Sequence, residues 1–363
     1  MERNMVAAMK ICMIVPDPAV KGGIASVVEG YRGSALERRY RISYVESYCN
    51  GSKWQKLCKA VSAYFIFIGQ ILFHRPDLVH IHSSFGPSFY RKIPFILLGR
   101  LCRIPVVNHI HGAEFDMFYE QASEAKRRLV RLIYRQCSRL LVLSEEWKAR
   151  IGGLVQADRI VIVENYCVIP EGEYDRERND GQVLFIGELG ARKGCYDIPD
   201  IWERIIKEVP SARLVMAGDG ETEKIKQCFA KRGLLSGVTF PGWVRGADKT
   251  CLFEQSAVFL FPTYNEGMPM ALLEAMSYGL GIVTTEVGGI PKLIHDGENG
   301  RMMKPGEVDA MAQAVTEFLV DPDKRKACGC NARKDAKDCY GLERHLEKLG
   351  EVYESVARES RKA

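Results

Sequence analysis

Two short stretches in the second half of the chain combine charged side chains with glycines. "PTYNEGMPMALLEAMSYGLG", residues 262–281, places Glu266 and Glu274 around a short apolar helix pattern. "FIGELGARKGCYD" follows a strand pattern and carries Arg192 and Lys193. A guanidinium binds phosphate oxygens in pairs and an ammonium binds them as a point charge, while a carboxylate accepts hydrogen bonds from the vicinal hydroxyls of a sugar. A phosphate group flanked by two sugars requires cations at its middle and acids at its two ends, so these residues together predict a nucleotide-sugar site.

The helix expected to begin near Pro269 supports this interpretation. Its unpaired amides and the positive end of its dipole favour an anion by about 0.3–1 kcal/mol. The alternative is an ordinary helix start, in which Gly267 turns the chain and Glu274 is solvated. We favour the ligand site because the loop with Arg192 and Lys193 belongs to the same predicted domain.

The first half offers a weaker signal after its first strand pattern. Gly22 and Gly23 in "PDPAVKGGIASVV" open a helix pattern, so backbone amides there can approach an anion closely. The stretch lacks the three-glycine dinucleotide fingerprint, and a glycine pair alone is more often a tight turn.

Histidines alternate on two further strand patterns of the first half. "VHIHSS" contains His80 and His82, and "NHIHGAEFD" contains His109 and His111. Two such pairs could build a zinc site, but no clear carboxylate or thiolate ligand set accompanies them. We therefore predict core histidines with satisfied hydrogen bonds at the inner positions and no metal. His111 is expected to face a cleft, where imidazole can hydrogen-bond a polyhydroxylated ligand.

The elements that position these residues alternate between strand and helix. Apolar runs predict strands at 10–15, 41–46, 77–82, 105–110, 139–143 and 160–163, then at 183–187, 213–217, 238–240, 257–261 and 280–284. Helix patterns fall between them, at 24–34, 54–73, 88–102 and 118–137, then at 196–208, 221–232, 269–278 and 307–319, and the last 50 residues are helical throughout. This order predicts two doubly wound α/β domains that face a cleft at the carboxyl ends of their strands.

The polar segment "EGEYDRERNDGQ" divides the chain. We predict an N-terminal acceptor-binding domain over 1–170, a linker over 171–182 and a nucleotide-sugar-binding domain over 183–340. A C-terminal helix over 341–363 is expected to pack back on the N-terminal domain.

Composition and charge narrow the possible environments and partners. The 363 residues are 47% hydrophobic and 27% charged, as in soluble globular proteins, and the N-terminal residues show no secretory pattern. The twelve cysteines lack zinc-ribbon spacing, so we expect reduced thiols and a cytoplasmic protein. The longest apolar run, 61–73, is expected to be too short to span a bilayer. Up to Pro170 there are 24 Lys and Arg against 14 Asp and Glu, which suggests phosphate or acidic lipid as a partner of the first half and not nucleic acid.

The stretch "EGMPMALLEAMSYGLGIVTTEVGGIPKLIHDGENG" resembles the signature of the retaining glycosyltransferases of family 4, which have the GT-B fold. The resemblance covers the pair Glu266 and Glu274, the Gly288–Gly289 turn and the segment from Asp296 to Gly300. "FIGELGARKG" is similar to the phosphate-binding loop of the same family. Similarity is strong in the second half and looser in the first.

The resemblance implies a role for each site residue. Lys193 and Arg192 would hold the donor diphosphate, Glu274 the ribose, and Glu266 with His111 the transferred sugar near its anomeric carbon. Many relatives have arginine where this chain has Glu188, so Arg192 is expected to supply that charge. The full set of expected donor-binding residues is Gly22, Gly23, Gly187, Arg192, Lys193, Glu266, Gly267, Met268, Pro269 and Glu274. The resemblance implies no bound metal or other cofactor, and Asp321 to Asp323 is interpreted as a helix boundary.

The expected activity is therefore transfer of a hexose from a nucleotide-diphosphate sugar to a hydroxyl with retention of configuration. The expected acceptor is a lipid-linked saccharide of a bacterial envelope polysaccharide, bound by the first domain at the inner face of the cell membrane. "EAKRRLVRLIYRQCSRL", residues 124–140, surrounds apolar positions with basic ones and suits an anionic surface; the alternative is that its apolar residues pack on the sheet. Two other functions remain open: a nucleotide-sugar epimerase on the same scaffold, and a non-catalytic sugar-nucleotide-binding subunit.

Overall fold

The protein is described by a computed structural model that covers residues 8–112, 115–171 and 178–362. Its packing divides the chain into two compact units. The first unit contains the chain up to Tyr166 together with the segment from Leu342, and the second unit contains Cys167–Gly341. The boundary at 166 lies four residues before the predicted end of the first domain.

The first unit is a parallel six-stranded sheet with helices. Its strands run in the order β2-β1-β3-β4-β5-β6. They are β1 Lys10–Val15, β2 Arg41–Glu46, β3 Leu78–Ser83, β4 Val106–Ile110, β5 Arg139–Val142 and β6 Ile160–Ile162. The helices are α1 Gly23–Glu29, α2 Ala35–Arg39, α3 Lys53–Gly69, α4 Pro87–Leu101, α5 Glu124–Tyr134, α6 Glu145–Ile151 and the C-terminal α13 Leu342–Lys362. Every residue of β3 and β4 is buried, as expected for central strands covered on both faces.

The second unit is also a parallel six-stranded sheet, in the order β12-β11-β10-β7-β8-β9. Its strands are β7 Asn179–Ile186, β8 Arg213–Ala217, β9 Val238–Gly242, β10 Ser256–Phe261, β11 Gly281–Thr285 and β12 Arg301–Met303. Its helices are α7 Ile198–Glu208, α8 Thr222–Lys231, α9 Gly246–Gln255, α10 Met270–Ser277, α11 Val308–Val320 and α12 Pro322–Tyr340. The chain direction across the sheet reverses between β7 and β10, and such a switch point is where doubly wound sheets bind ligands.

The predicted strands are all present, and the differences lie in short elements and boundaries. The predicted helix 24–34 ends early, because the chain turns after Glu29, and Ser34 then caps the separate helix α2 by accepting from the Leu36 amide. The predicted helix 118–137 contains α5, which begins only after its cap Ser123. Strand β12 and helices α2, α6 and α9 are additional to the prediction.

The predicted linker 171–182 extends too far, because β7 already begins at Asn179 and pairs with β8 and β10. Its residues 172–177 lie outside the described part of the chain.

Helix α13 belongs to the first unit and is fixed there by buried polar contacts. The Tyr353 hydroxyl lies 2.7 Å from His80 Nδ1, and His345 Nε2 lies 2.7 Å from the Tyr31 hydroxyl. The Tyr353 ring is fully buried and meets Tyr40 edge-on at 5.5 Å. The sheet core of this unit therefore depends on a segment that is about 175 residues away from its other elements in sequence.

Helix α3 continues through a π-helical turn, Gln70–His74, into a 22-residue helix. By length and composition alone this helix could cross a membrane, so the prediction that the apolar segment is too short was wrong. One face, with Ala60, Ala63 and Phe67, is nevertheless packed in the core, and Lys59 pairs with Asp17 at 3.0 Å. The helix therefore lies along the first unit and leaves its other face exposed.

Replacing the buried Tyr353 by alanine should destabilise the first unit by about 3–5 kcal/mol, because a large cavity forms and a buried hydrogen bond is lost. Amide hydrogen exchange of the full chain should show faster exchange in α13 and β3 and unchanged exchange in β7 and β10. The matched control is Glu351→Ala, an exposed position of the same helix. Equal exchange in α13 of the two variants would show that Tyr353 does not anchor the helix.

Candidate functional site

Two loops meet at the switch point of the second unit, after β7 and after β10. The first loop carries Gly187 and the 3-10 turn Ala191–Lys193, and the second leads into α10. The Arg192 carbonyl accepts hydrogen bonds from the Tyr264 amide at 2.8 Å and from the Thr263 hydroxyl at 3.1 Å. The backbone of one loop is thus fixed directly on the other.

A cluster of three charged side chains lies between these loops. Glu266 Oε1 pairs with the Lys193 ammonium, lies 3.4 Å from Arg192 Nη1 and accepts from the Thr263 hydroxyl at 3.0 Å. Arg192 also donates to the Asn265 carbonyl at 3.1 Å and pairs with Glu188 at 3.2 Å. The structure therefore brings the predicted residues Arg192, Lys193 and Glu266 into direct contact.

The two charges at the centre of this cluster are largely shielded from water. The side chains of Lys193 and Glu266 are only 12% and 8% exposed, and the Lys193 ammonium lies 4.6 Å from the centre of the Phe261 ring. Burial lowers the pKa of Lys193, Arg192 lowers it further, and Glu266 opposes the shift. Removing either partner of such a pair leaves a buried charge uncompensated, which is far more costly than the pair itself.

Glycines allow the backbone around the cluster to pack closely. Gly194 and Gly288 have φ of +69° and +54°, and a Cβ atom at either would meet the carbonyl oxygen of Pro262 or Glu266 at 1.8 Å. The Gly289 amide donates to the Gly267 carbonyl at 2.9 Å. The Gly288–Gly289 turn therefore supports the backbone that carries Glu266.

The second acid, Glu274, lies on α10, which begins at Met270 with Pro269 as its N-cap. No described side chain caps this helix, so its first-turn amides have no side-chain acceptor. Glu274 Oε1 accepts from Lys249 at 2.5 Å, whereas Oε2 is buried and has no hydrogen-bond partner among the described residues. A buried carboxylate oxygen without a donor is a ready acceptor for ligand hydroxyls.

The predicted residues of the first half lie in the first unit. Gly22 is the N-cap of α1 with φ of +149°, a conformation that glycine adopts readily, and Gly23 is the first residue of that helix. His111 Nε2 lies 2.9 Å from His82 Nδ1, and burial lowers the pKa of His111 to about 3. His111 is therefore neutral at physiological pH.

The prediction that the inner histidines have satisfied hydrogen bonds was wrong. His80, His82 and His109 are fully buried, and each has one ring nitrogen without a partner among the described residues. The period-two pattern correctly indicated burial on one face, but it carries no information on the partner of each nitrogen.

Sequence reasoning missed two polar residues of the site. Lys249, on α9, neutralises Glu274, and Thr263 hydrogen-bonds both Glu266 and the Arg192 carbonyl. Thr263 stands three residues before Glu266 and two residues after the buried strand β10, and this position in the sequence could have indicated a site residue. Lys249 lies in "RGADKTCL", where nothing in the sequence distinguishes it from a solvated lysine.

Two glycosyltransferase family models match successive parts of the chain. Residues 172–335 match the family model "Glycosyl transferases group 1", and residues 32–166 match "Glycosyl transferase 4-like domain". Alpha-D-kanosaminyltransferase of Streptomyces kanamyceticus is 25% identical over 360 residues, which cover 94% of this chain and 87% of that protein.

Solved structures resemble the whole chain. Sucrose-phosphate synthase of Thermosynechococcus elongatus matches with a TM-score of 0.81 at 16% identity, over 96% of this chain and 99% of that one. HepE of Anabaena in complex with UDP-glucose matches with a TM-score of 0.75 at 18% identity, over 96% and 100%.

The fold is thus GT-B, two Rossmann-like domains each built on a parallel six-stranded sheet. The two matched models follow one another along the chain, so the protein is similar to glycosyltransferases that join a 4-like domain to a group 1 domain.

Alanine at Gly288 should destabilise the second unit by at least about 2 kcal/mol more than alanine at Gly233. Both positions have positive φ, but a Cβ at Gly233 meets no described atom within 4 Å, so the comparison isolates the clash with the Glu266 carbonyl. Urea unfolding of the two variants measures the difference. Equal stabilities would mean that the turn does not support the Glu266 backbone.

Proposed function

We propose that the protein transfers a hexose from a nucleoside-diphosphate sugar to a hydroxyl of a saccharide acceptor with retention of anomeric configuration. The observation that carries this proposal is the cluster that the largely buried Lys193 and Glu266 form with the partly exposed Arg192 at the switch point of the second unit. HepE, a structural neighbour, binds UDP-glucose according to the description of its structure, which supports a donor of this class.

The diphosphate would be held by Lys193, Arg192 and the first-turn amides of α10. In the structure Lys193 forms its ion pair with Glu266. The burial that lowers the pKa of Lys193 also strengthens its attraction to any anion that reaches it. A diphosphate brings more negative charge than one carboxylate and can share both cations. These side chains supply the positive charge at the leaving group, so we expect no metal ion there.

Glu274 would bind the ribose of the donor. Its Oε2 lacks a donor among the described residues, and its Oε1 is held by Lys249, which fixes the orientation of the carboxylate. Two ribose hydroxyls can donate to such a group, one to each oxygen. Recognition of the base would rest on backbone groups near 241–244.

The same cluster would stabilise the transition state. As the sugar–phosphate bond breaks, negative charge grows on the diphosphate and the sugar becomes oxocarbenium-like. Fixed cations and helix amides would stabilise the first charge without reorganisation, and Glu266 would stabilise the second. The departing phosphate oxygen would take the proton of the acceptor hydroxyl. His111, being neutral, would contribute a hydrogen bond to the sugar rather than a proton.

Incubation with nucleotide sugars in the absence of acceptor tests the activity. A transferase should slowly release free sugar and nucleoside diphosphate. An epimerase would convert one nucleotide sugar into another, and a binding subunit would leave the donor intact, so either of these results would contradict the proposal. Thermal unfolding in the presence of UDP, GDP and ADP sugars identifies the preferred donor, because a ligand at 100 times its Kd adds about 2.7 kcal/mol of stability.

Lys193→Ala and Arg192→Ala should each lower kcat/KM for the donor by roughly 10- to 150-fold, since each removes a charge-assisted contact of about 1.5–3 kcal/mol. Lys224→Ala is the matched control, because Lys224 forms an exposed ion pair with Glu221 in the same unit. Initial rates at limiting donor provide the measurement. If both site variants match the control, the diphosphate does not bind there.

Glu266→Gln and Glu274→Gln should differ in kind. The first should mainly lower kcat, because Glu266 is assigned to the reacting sugar, and the second should mainly raise the KM for donor. Glu223→Gln, at an exposed acid of the same unit, should change neither. A reversed pattern would exchange the two roles, and unchanged kinetics in both would remove the pair from the site.

We further propose that the first unit binds its acceptor at an anionic membrane surface and that the acceptor is a lipid-linked saccharide of the cell envelope. The helix from Lys53 to His74 exposes large apolar side chains along one face: Trp54, Leu57, Phe65, Leu72 and Phe73. A helix that buries one face in its own unit and exposes apolar side chains on the other suits an interfacial position.

Helix α5 contributes less to such a surface than its sequence suggests. Arg127 donates to the Tyr119 carbonyl at 3.1 Å, and Arg131 donates to the Tyr119 hydroxyl at 2.9 Å and pairs with Glu124. Ile133 is buried, whereas Leu132 is exposed. Several of the cations counted for lipid therefore have partners within the unit.

Vesicle sedimentation tests the membrane proposal. The protein should bind anionic vesicles at low salt and lose most of this binding at high salt, and Phe65→Ser combined with Phe73→Ser should reduce it at least several-fold. Leu235→Ser combined with Val320→Ser, at exposed apolar positions of the second unit, is the matched control. No binding at low salt, or equal binding to neutral vesicles, would contradict an anionic membrane as partner.

A further inference from the structure

The central strands of the first unit carry a buried cluster of histidines. His80 and His82 alternate on β3, and His109 stands opposite His82 in the register of β3 and β4, so all three share one face of the sheet. None of the three side chains is more than 1% exposed. One ring nitrogen of each lies within 4.8 Å of the corresponding nitrogens of the other two.

One nitrogen of each ring already has a hydrogen-bond partner. His80 Nδ1 lies 2.7 Å from the Tyr353 hydroxyl, His82 Nδ1 lies 2.9 Å from His111 Nε2, and His109 Nε2 lies 3.2 Å from the Val163 carbonyl. The remaining atoms, Nε2 of His80 and His82 and Nδ1 of His109, are buried without a partner among the described residues. A buried polar atom without a partner destabilises the folded protein unless something binds it.

The outer hydrogen bonds define which atoms can act as ligands. A carbonyl oxygen only accepts, so His109 donates to Val163 from Nε2 and keeps a lone pair on Nδ1. The Tyr353 oxygen and His111 Nε2 can also accept, so His80 and His82 can donate in the same way. Metal-bound histidines have this arrangement, with the outer nitrogen donating to a protein acceptor and the inner lone pair free.

We propose that His80, His82 and His109 form a binding site for a divalent transition cation of the Zn²⁺ class. Imidazole nitrogens suit this class, and three of them leave the fourth tetrahedral position for a water molecule. Ligands at 2.0–2.1 Å from zinc stand roughly 3.4 Å apart, whereas one nitrogen of each ring lies within 4.8 Å of a nitrogen of the other two, so the rings would have to move closer together to bind the ion. A single water molecule donates only two hydrogen bonds and cannot satisfy three lone pairs.

The bound ion would act as a structural link within the first unit. It would join β3 to β4 directly, and through His80 it would connect to Tyr353 of α13. The assigned donor residues Lys193, Glu266 and Glu274 belong to the second unit, so this site is independent of the diphosphate contacts.

Metal content and cobalt spectroscopy of the full chain test the proposal. Protein expressed in zinc-supplemented medium without a polyhistidine tag should retain about one Zn²⁺ per chain after dialysis. Cobalt-substituted protein should show the visible d–d bands of a tetrahedral site without thiolate charge-transfer absorption in the near ultraviolet. That last criterion is needed because the described cysteines are free thiols. Added zinc at 100 times its Kd should raise the Tm of the metal-free protein by roughly 5–10 °C.

His109→Gln should weaken cobalt binding by at least 10-fold, while glutamine can still donate to the Val163 carbonyl. His74→Gln combined with His295→Gln, at exposed histidines, is the matched control and should bind like the wild type. Equal binding in His109→Gln and the control, a thiolate band, or no retained metal in the wild type would each overturn the proposal. If His109→Gln fails to fold, the cobalt spectrum of the wild type decides alone.

Discussion

A buried lysine at the carboxyl end of β7 requires a negative partner, and this requirement organises the second unit. Glu266 provides the charge, Thr263 orients it, and Arg192 approaches the same carboxylate oxygen. The loop backbones must then lie in contact, which explains why glycine is needed at Gly194 and Gly288, where a side chain would collide with a carbonyl. The ion pair and the close backbone packing are thus parts of one arrangement.

An ion pair of this kind is well suited to exchange its partner. Burial penalises the lysine charge and makes it depend on whichever anion is closest, so a donor diphosphate can replace part of the role of the carboxylate. Glu274 offers the complementary feature, an acid oxygen with no donor among the described residues. At one end of the proposed site, Lys193 and Arg192 share a single carboxylate and can accept a further anion. At the other end, Glu274 can accept hydrogen bonds from a ligand.

The sequence predicted the strands well because parallel strands covered on both faces appear as unbroken apolar runs, as in β3 and β10. It also assigned Arg192, Lys193 and Glu266 to one site, since glycine-rich loops that follow strands of one sheet end at the same edge, but their direct contact became visible only in the structure. It missed the Lys249–Glu274 pair, because contacts between separate helices leave no local pattern. The sequence also could not predict which nitrogens of His80, His82 and His109 lack a partner. The partners of the other nitrogens, Tyr353, His111 and Val163, come from other segments of the chain.

The most direct test of the account is a crystal structure of the full chain with the nucleoside diphosphate that stabilises it best. The account predicts diphosphate oxygens within hydrogen-bond distance of Lys193 Nζ, the Arg192 guanidinium and the first-turn amides of α10, with both ribose hydroxyls on Glu274. A diphosphate bound elsewhere, with Lys193 still paired to Glu266 and Glu274 Oε2 still without a donor, would contradict it.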